Sequence, residues 1–250
     1  MFNEEIERFL SRKGYMKVEP RAALIDMDGT LYDSMPRHAA AWKQMTAELG
    51  INLPIEEFYL HEGRTGADTI DLLFRKHFNR SATDEEIDRL YHLKTIYFSE
   101  FPDDVPTMPG ASDMLEFMIN VGMKRVLVTG SAQNSLIDRI DCDFPGAFLP
   151  DMCVTAKEVR HGKPAPDPFL LGMEKAKVVP MQTIVVENAP LGVEAGDRAG
   201  AFTIGITTGP IPESTLYDAG AAIVFPSMRD FADKLPFLIY ALDTFSRNYN

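Results

Sequence analysis

The stretch AALIDMDGTLYDS, residues 22–34, begins as a short apolar run that predicts a buried β-strand. Asp26 and Asp28 follow the apolar residues, and Gly29 then breaks the strand. Ligands of open parallel sheets bind outside the carboxyl ends of the strands. Two carboxylates at such an end can divide the work of catalysis, because one can attack or hold a cation while the other moves a proton. The stretch therefore indicates a candidate active site and favours phosphoryl transfer.

An ordinary turn or a calcium loop is the alternative for this pair of carboxylates. Asp-Gly is a common turn dipeptide. An EF-hand loop needs further oxygen ligands at alternating positions and a glutamate at its end. Thr30, Leu31 and Tyr32 follow the glycine instead. The sequence therefore disfavours the calcium loop.

Three later segments end or interrupt apolar runs with polar side chains. They are VLVTGS at residues 126–131, GKPAPDP at residues 162–168 and IVVENAPLGV at residues 184–193. Taken singly, they also fit a buried strand before a turn, a surface lysine and a helix cap. Their order and their shared location near predicted strand ends favour one common site. The polar and small residues concerned are Thr129, Gly130 and Ser131, then Lys163, and then Glu187 and Asn188.

Apolar runs and helical patterns alternate along most of the chain, which predicts a parallel α/β sheet. Strands are expected near residues 22–27, 124–129, 151–154, 182–187, 201–206 and 221–225. Residues 35–100 have apolar positions at helical spacing and no strand-like run, so they form a candidate helical cap; one such apolar face contains Ile87, Leu90, Leu93 and Ile96. The predicted organisation is a helical extension at 1–19, a core at 20–34 and 105–250, and a cap at 35–104.

The first and last helices carry apolar residues that are expected to pack on the core. Asn3 is a candidate cap of the first helix, whose apolar face contains Ile6, Phe9 and Leu10. The final helix is expected to begin near Ser227, and the aromatic residues at its end are expected core contacts: Phe237, Tyr240 and Phe245.

The four motifs together resemble those of the haloacid dehalogenase superfamily, in its β-phosphoglucomutase-like branch. The resemblance covers nearly all of residues 20–230. It implies a Rossmann-like core of parallel strands with a helical cap inserted after the first strand. It also implies the catalytic roles: Asp26 as the nucleophile that forms an aspartyl-phosphate, Asp28 as general acid/base, Thr129 on the transferring phosphoryl group, and Lys163 on the nucleophile and a phosphate oxygen.

The same resemblance implies Mg²⁺, held by the Asp26 carboxylate, the Asp28 backbone carbonyl and Asn188, with Glu187 completing the metal site. Many relatives have aspartate where this chain has Asn188. The amide keeps an oxygen ligand but removes one negative charge. Mg²⁺ prefers hard oxygen ligands, and with a lysine it offsets the repulsion between a carboxylate nucleophile and a phosphoryl group.

The cap is expected to select the substrate. His38 matches a histidine that lies at the cap hinge of relatives acting on sugar phosphates, although an ordinary histidine near a helix start is equally compatible. The loop at residues 60–69 contains Glu62 and Arg64, which either face the substrate or form a solvated ion pair of little energetic value. Gly130 and Ser131 are expected beside the substrate as well.

A phosphomutase must also hold a distal phosphate. By the resemblance, it uses an arginine in the cap loop and a lysine after the threonine motif. Those positions hold Gly66 and Ala132 here. The loop HEGRTG and the stretch ENAPLGVEAG resemble HAD-type inorganic pyrophosphatases instead. The expected function is thus Mg²⁺-dependent hydrolysis of a small phosphate compound, with pyrophosphate leading. β-Phosphoglucomutase or sugar-phosphate phosphatase is the alternative.

Two other classes of protein fit these residues less well, namely dehalogenases and proteins that only bind phosphate. A dehalogenase of the superfamily needs neither Mg²⁺ nor Asp28. A protein that only binds phosphate has no reason to combine Asp26, Asp28, Thr129 and Lys163.

The composition sets limits on partners and location. A formal net charge of −12 without a basic stripe argues against nucleic-acid binding. No apolar stretch approaches the ~20 residues that span a bilayer, and the acidic N-terminus does not resemble a signal peptide. Cys142 and Cys153 fit a reducing cytoplasm as core residues. The expected protein is cytoplasmic and monomeric, and its partner is a small phosphorylated substrate.

Overall fold

A computed structural model describes residues 1–101, 105–131 and 134–248 of the chain. Helices and strands alternate through most of it, as the sequence predicts. The elements are α1 (Asn3–Lys13), β1 (Ala22–Ile25), α2 (Met35–Glu48), α3 (Ile55–Tyr59), α4 (Gly66–Phe78), α5 (Asp84–Ser99), α6 (Ala111–Asn120), β2 (Lys124–Val128), α7 (Asn134–Ile137), α8 (Ile140–Asp143), β3 (Cys153–Val154), α9 (Asp167–Ala176), β4 (Thr183–Glu187), α10 (Pro190–Arg198), β5 (Phe202–Ile206), α11 (Glu213–Asp218), β6 (Ile223–Phe225) and α12 (Met228–Asn248).

The strands of the described residues form one parallel sheet in the order β3-β2-β1-β4-β5-β6. In the central strand β1, Ile25 is aligned with Leu127 on one side and with Val186 on the other. The strand order reverses between β1 and β4, and ligands of such sheets bind at this switch point. Asp26 follows β1 and Glu187 ends β4, so the topology brings both carboxylates to one edge. The predicted α/β fold class is confirmed.

Alternate residues of β1 face the two sides of the sheet, as the strand period of two requires. Ala23 and Ile25 pack into the larger apolar core, on the side of α1, α6 and α12. Ala22 and Leu24 pack into the second core, on the side of α9 and α10. Because each fully buried Leu or Ile contributes about 1.5–3 kcal/mol, this two-sided burial holds β1 firmly beneath the site.

Helices α2 to α5 lie between β1 and the rest of the sheet in sequence and have an apolar cluster of their own. The buried members of this cluster are Met45, Ile70, Leu73, Phe74 and Leu90. Helix α5 begins with a capping box, in which the side chains of Thr83 and Glu86 each accept from the other's backbone N–H. The predicted cap boundary at residue 104 lies outside the described residues, so the domain division stays a prediction.

Three expectations about surface and core are wrong in part. Helix α1 begins at Asn3 itself and Phe2 stands at the capping position, although Ile6, Phe9 and Leu10 are buried as expected. In α12, Phe237 and Tyr240 are exposed, whereas Phe245 packs against the larger core as expected. The buried face of that helix is formed by Phe231, Leu235, Leu238 and Leu242. Cys142 is exposed, whereas Cys153 is half-buried and packs against the larger core.

Within the residues that the structure describes, no helix combines the length and apolar character needed to cross a bilayer.

Candidate active site

Asp26 and Asp28 lie at the carboxyl end of β1 and are both buried. The backbone N–H of Asp26 donates to the carbonyl of Val186 at 3.0 Å, which extends the pairing of β1 and β4 past the strand end. Gly29 then turns the chain with a φ of +76°. A side chain at Gly29 would overlap the amide of Asn188. Glycine is therefore required here both for the turn and for close packing.

Lys163 connects the strand-end carboxylates, and it is almost fully buried, so the surface-lysine alternative is wrong. Its Nζ donates to Asp26 Oδ1 at 2.5 Å and to Glu187 Oε1 at 2.5 Å. The third donor direction meets the carbonyl of Val128 at 3.2 Å. Burial by itself lowers the pKa of Lys163, but the two carboxylates outweigh burial and raise the pKa above its ordinary value. The two carboxylates therefore favour the charged form of the lysine, which fixes the orientation of Asp26.

Glu187 and Asn188 lie side by side after β4 but have different environments. The second oxygen of Glu187 accepts from the backbone N–H groups of Asn188 and Ala189, at 3.1 Å each. With Lys163 on its first oxygen, Glu187 is held entirely by protein donors, so it orients the lysine. Asn188 is not a helix cap, since α10 begins after Ala189. Its Oδ1 accepts from Thr30 Oγ1 at 3.2 Å.

The carboxylate of Asp28 is held by two donors. Ser34 Oγ donates to its Oδ1 at 2.5 Å, and His38 Nε2 lies 3.1 Å from the same oxygen. Burial raises the pKa of Asp28, yet His38 and Ser34 outweigh it and bring the pKa below its ordinary value. His38 therefore stands beside the proposed acid/base residue, as the hinge interpretation requires.

Lys94 completes a chain of side chains that the sequence analysis missed. It comes from α5, is buried, and places its Nζ 2.7 Å from His38 Nδ1. If Lys94 donates to Nδ1, the proton of the neutral imidazole is on Nε2 and points at Asp28. Burial lowers the pKa of Lys94 to about 7. The four-residue spacing of Leu90, Lys94 and Phe98 could have indicated that Lys94 is buried, because these residues form the buried face of α5.

The strand end of β2 contributes Thr129, Gly130 and Ser131. Thr129 is buried, and its Oγ1 accepts from the backbone N–H of Ser131 at 3.0 Å. Gly130 and Ser131 line the pocket in front of Asp26. A Cβ atom at Gly130 would stand 2.5 Å from the carbonyl oxygen of Gly63 in the cap loop, which comprises residues 60–65 between α3 and α4. Gly130 therefore allows the cap loop to lie directly against the core.

Glu62 of the cap loop is buried at the site, so the solvated-pair alternative is wrong. Its Oε1 accepts from Asn188 Nδ2 at 2.8 Å. Burial raises the pKa of Glu62 well above its ordinary value; the hydrogen bond from Asn188 opposes this, while Asp26 and Glu187 add to it. Within the described part of the chain, Glu62 and Arg64 do not form an ion pair with each other.

Gly66, which stands where a mutase has its cap-loop arginine, lies against an aromatic ring. Any Cβ at residue 66 would overlap the ring of Tyr91. A long cationic side chain at that point would require Tyr91 to move. The second position, Ala132, lies outside the described residues.

One pocket of about 60 Å³ brings the predicted residues together. Asp26, Asp28, His38, Glu62, Arg64, Gly130 and Ser131 line it, together with Trp42, His61, Tyr91 and Lys94. Lys163, Glu187 and Asn188 border it through their contacts with Asp26 and Glu62.

The donor set fits Mg²⁺, although no group of three His, Cys, Asp or Glu side chains is arranged as metal ligands within the described residues. An amide oxygen and a backbone carbonyl complete the expected set, and both are hard oxygen ligands. Burial raises the pKa of Asp26 well above its ordinary value, and Glu187 and Asp28 add to it against the opposing effect of Lys163. Such a crowded group of buried carboxylates is the environment that a small divalent cation stabilises.

Comparison with known proteins supports this assignment of the fold and chemistry. The profile of haloacid dehalogenase-like hydrolases matches residues 20–200. Hexitol phosphatase A of Escherichia coli is 29% identical over 73% of this chain and 81% of its own length. A phosphorylated carbohydrates phosphatase of Thermotoga maritima is 30% identical over 82% of this chain and 94% of its own.

Among solved structures, a Bacteroides vulgatus protein provisionally described as a β-phosphoglucomutase superposes with a TM-score of 0.92. It is 42% identical to this chain, and the match covers 96% of this chain and 98% of the other. The family match spans the strand-end carboxylates, the buried lysine and Asn188. The chain belongs to the haloacid dehalogenase-like hydrolase family.

Proposed function

We propose that the chain hydrolyses a small phosphorylated compound through an aspartyl-phosphate on Asp26. The observation that carries this proposal is the position of Lys163, whose Nζ lies 2.5 Å from both Asp26 and Glu187. The lysine keeps one Asp26 oxygen in place and supplies positive charge beside the incoming phosphoryl group. Preorganised charge of this kind is often the largest contribution to catalysis.

The reaction has two steps that balance without a further reagent. In the first step, an Asp26 oxygen bonds to phosphorus and the bond from phosphorus to the leaving oxygen breaks. Asp28 enters this step protonated, although His38 and Ser34 favour its carboxylate, and gives its proton to the leaving oxygen. In the second step, Asp28 takes a proton from water as the water oxygen bonds to phosphorus, and Asp26 is released with orthophosphate. Ser34 and His38 hold Asp28 in position for both transfers.

The proposed ligands of Mg²⁺ are the Asp26 carboxylate, the Asp28 backbone carbonyl and Asn188 Oδ1. When bound, the ion neutralises charge on the transferring phosphoryl oxygens. Glu187 is assigned to positioning Lys163, because protein donors already hold both of its oxygens. Thr129 is the proposed hydrogen-bond donor to the phosphoryl group.

Phosphorylated sugars and polyols are the first substrate class to test. The relatives named above are phosphatases of hexitol phosphates and phosphorylated carbohydrates, which supports the sugar-phosphate alternative better than the pyrophosphatase expectation. Hydrolysis is favoured over mutase activity because Gly66 packs against Tyr91, so no cation stands at the position from which a mutase arginine holds the distal phosphate.

Inorganic pyrophosphate is the second candidate, and the position of Glu62 favours it. This carboxylate is buried beside Asn188 in the pocket and reduces the space available to a leaving group. Orthophosphate is more compact than a hexose, so the loss of space affects it less. A carboxylate also repels a second phosphate unless a cation or a proton intervenes. Both effects make Glu62 the residue on which the choice of substrate depends.

The test is a phosphate-release assay with Mg²⁺ or with excess EDTA. The panel contains a hexitol phosphate, fructose 1-phosphate, β-glucose 1-phosphate and pyrophosphate. We expect release to require Mg²⁺ and to disappear in Asp26→Asn, which removes the nucleophile's charge. Asp28→Asn should lose about 10²–10⁴-fold, the usual contribution of proton transfer. Near-normal activity of Asp26→Asn, or full activity in EDTA, contradicts the aspartyl-phosphate mechanism.

A coupled assay separates hydrolase from mutase. With β-glucose 1-phosphate and the 1,6-bisphosphate as primer, we expect little glucose 6-phosphate. Efficient production of glucose 6-phosphate contradicts the argument from Gly66 and Tyr91. The highest kcat/KM in the panel identifies the substrate class.

A further inference from the structure

Arg64 is a half-buried cationic side chain of the pocket with an unsatisfied buried donor. It lies in the cap loop and lines the pocket together with Asp26, Asp28 and Glu62. Its Nε atom is buried and has no hydrogen-bond partner. Among the contacts of the described residues, the guanidinium takes part in no ion pair. Leaving a buried charged donor unsatisfied is costly, so a guanidinium in this state is suited to an anionic ligand.

The other cations near the pocket are already committed to protein partners. Lys163 donates to Asp26, Glu187 and the carbonyl of Val128. Lys94 also lines the pocket, but it is buried and its Nζ contacts His38 Nδ1. Arg64 is therefore the pocket-lining cation, within the described residues, that remains available to a substrate. A guanidinium matches phosphate and carboxylate groups through paired N–H donors.

The cap loop around Arg64 is fixed against the core on both sides. Before it, Gly63 lies against Gly130, and Glu62 is hydrogen-bonded to Asn188. After it, Thr65 packs against Gly162, where a Cβ atom would be 2.5 Å from Thr65 Cγ2. The backbone N–H of Arg64 itself donates to the carbonyl of His61 at 3.2 Å. The backbone that carries the guanidinium is thus held in place before substrate binds.

We propose that Arg64 binds an anionic group on the leaving part of the substrate. The preferred substrate then carries a second oxyanion, a phosphate or a carboxylate, in addition to the phosphoryl group that Asp26 accepts. This inference rests on the proposed hydrolase function. Within it, the inference favours pyrophosphate, or a sugar or polyol phosphate that carries a second anionic group, over esters with a neutral leaving group. It also explains how a pocket with three carboxylates on its walls accommodates a doubly anionic compound.

The experiment compares leaving groups that differ in charge. Pyrophosphate and 2-phosphoglycolate release anionic products, whereas glycerol 1-phosphate releases a neutral one. Arg64→Met keeps most of the side-chain volume and removes the charge. We expect kcat/KM for the anionic pair to fall about ten- to one-hundredfold, the range for a hydrogen bond to a charged group. The loss should appear mainly in KM and should be below about threefold for glycerol 1-phosphate.

Two further variants sharpen the result. Arg64→Lys keeps the charge without the paired donors and should recover part of the loss. Arg75→Met is the matched control, because Arg75 is an exposed arginine of α4 that pairs with Asp71 on the same helix. A loss confined to pyrophosphate identifies phosphate as the bound group, and a loss confined to 2-phosphoglycolate identifies carboxylate. An equal loss on all three substrates overturns the proposal.

A binding measurement keeps this inference separate from the proposed function. Imidodiphosphate, a pyrophosphate analogue with a bridging nitrogen, is titrated calorimetrically against wild type and Arg64→Met, with methylphosphonate as the single-anion reference. We expect Arg64→Met to weaken imidodiphosphate about tenfold or more and to leave methylphosphonate nearly unchanged. Equal affinity of both proteins for imidodiphosphate overturns the role of Arg64. If the wild type hydrolyses none of the esters, the hydrolase proposal fails, and the titration still decides the role of Arg64.

Discussion

Glu62 and Asn188 are joined by a hydrogen bond of 2.8 Å although 126 positions separate them in the sequence. Asn188 Nδ2 donates and Glu62 Oε1 accepts. The bond links the cap loop to the strand end of β4, directly beside the expected Mg²⁺ ligand Asn188 Oδ1. The position of the cap loop is therefore linked directly to the position of an expected metal ligand.

The first prediction concerns this bond. Glu62→Ala removes the buried carboxylate, so the pocket gains space and Asn188 loses its hydrogen-bond partner. We therefore expect kcat/KM for pyrophosphate to fall and the preference over hexose phosphates to decrease. Glu62→Gln keeps the shape and should retain more of the discrimination by size. The exposed neighbour Glu56 supplies the control, Glu56→Ala. A constant ratio of kcat/KM values across these variants contradicts a role for Glu62 in specificity.

The second prediction concerns the close contact between the cap loop and Gly130. Gly130→Ala places a methyl group 2.5 Å from the carbonyl oxygen of Gly63, and backbone atoms cannot yield as a side chain can. The clash is relieved when the cap loop lifts. We therefore expect kcat/KM to fall about tenfold or more while the free energy of unfolding changes by less than about 1 kcal/mol, because the core is left intact.

Gly209→Ala is the control for Gly130→Ala, because it adds the same methyl group but creates a milder contact. Its added methyl would meet the ring of Tyr59 at 3.2 Å, a contact that a small ring movement relieves. The loss of activity should be smaller than in Gly130→Ala. Unfolding in urea followed by circular dichroism gives the stability of both variants. Full activity of Gly130→Ala would show that the closed position of the loop is not needed for turnover.

The third prediction separates stability from catalysis at Lys163. Lys163→Met leaves two buried carboxylates without their cation, so we expect a loss of about 3–5 kcal/mol, as for other broken buried ion pairs. Adding Glu187→Gln removes one of those charges and should restore part of the stability without restoring turnover. Urea unfolding and phosphate release are measured on both variants. Recovery of activity in the double variant would contradict the role of Lys163 beside the phosphoryl group.

The strands and their polar ends could be predicted from the sequence because local patterns determine them. Short apolar runs specified all six strands of the described sheet. Parallel strands place their carboxyl ends at one edge, so Asp26, Asp28 and Glu187 followed from their positions alone. The burial of Glu62 could not be predicted, because it depends on how the cap loop docks against a residue 126 positions away.

Two helices show where the local pattern was insufficient. In α12, Phe237 and Tyr240 are aromatic, yet the buried face passes through Phe231, Leu235 and Leu238 and leaves them in solvent. In α5, the sequence analysis assigned Ile96 to the apolar face and ignored Lys94. The structure exposes Ile96 and buries Lys94, because the lysine finds His38 as a partner. A tertiary contact of this kind overrides hydrophobic periodicity.

The last prediction follows from this buried lysine. Lys94 Nζ faces His38 Nδ1, with Asp28 beyond the imidazole, and lies 5.5 Å from the ring centre of Trp42 and 5.1 Å from that of Phe98. Burial lowers its pKa from 10.5 to about 7. Between those pH values the unfolded chain binds a proton that the folded chain releases, so the contribution of Lys94 to the unfolding free energy increases as the pH rises.

Lys94→Met has no such group, and we therefore expect the stability of the wild type relative to Lys94→Met to increase steadily from about pH 7 to pH 10. Burial and the neighbouring Lys94 also lower the pKa of His38, from 6.5, so His38 titrates below this window and does not produce the trend. Urea unfolding of both proteins at pH 7, 8, 9 and 10 gives the difference directly. Lys43→Met, at an exposed lysine of α2, is measured in parallel as the surface control. Parallel stability profiles for the wild type and Lys94→Met would mean that Lys94 keeps its ordinary pKa in the folded protein, and its place in the chain of contacts to Asp28 would have to be revised.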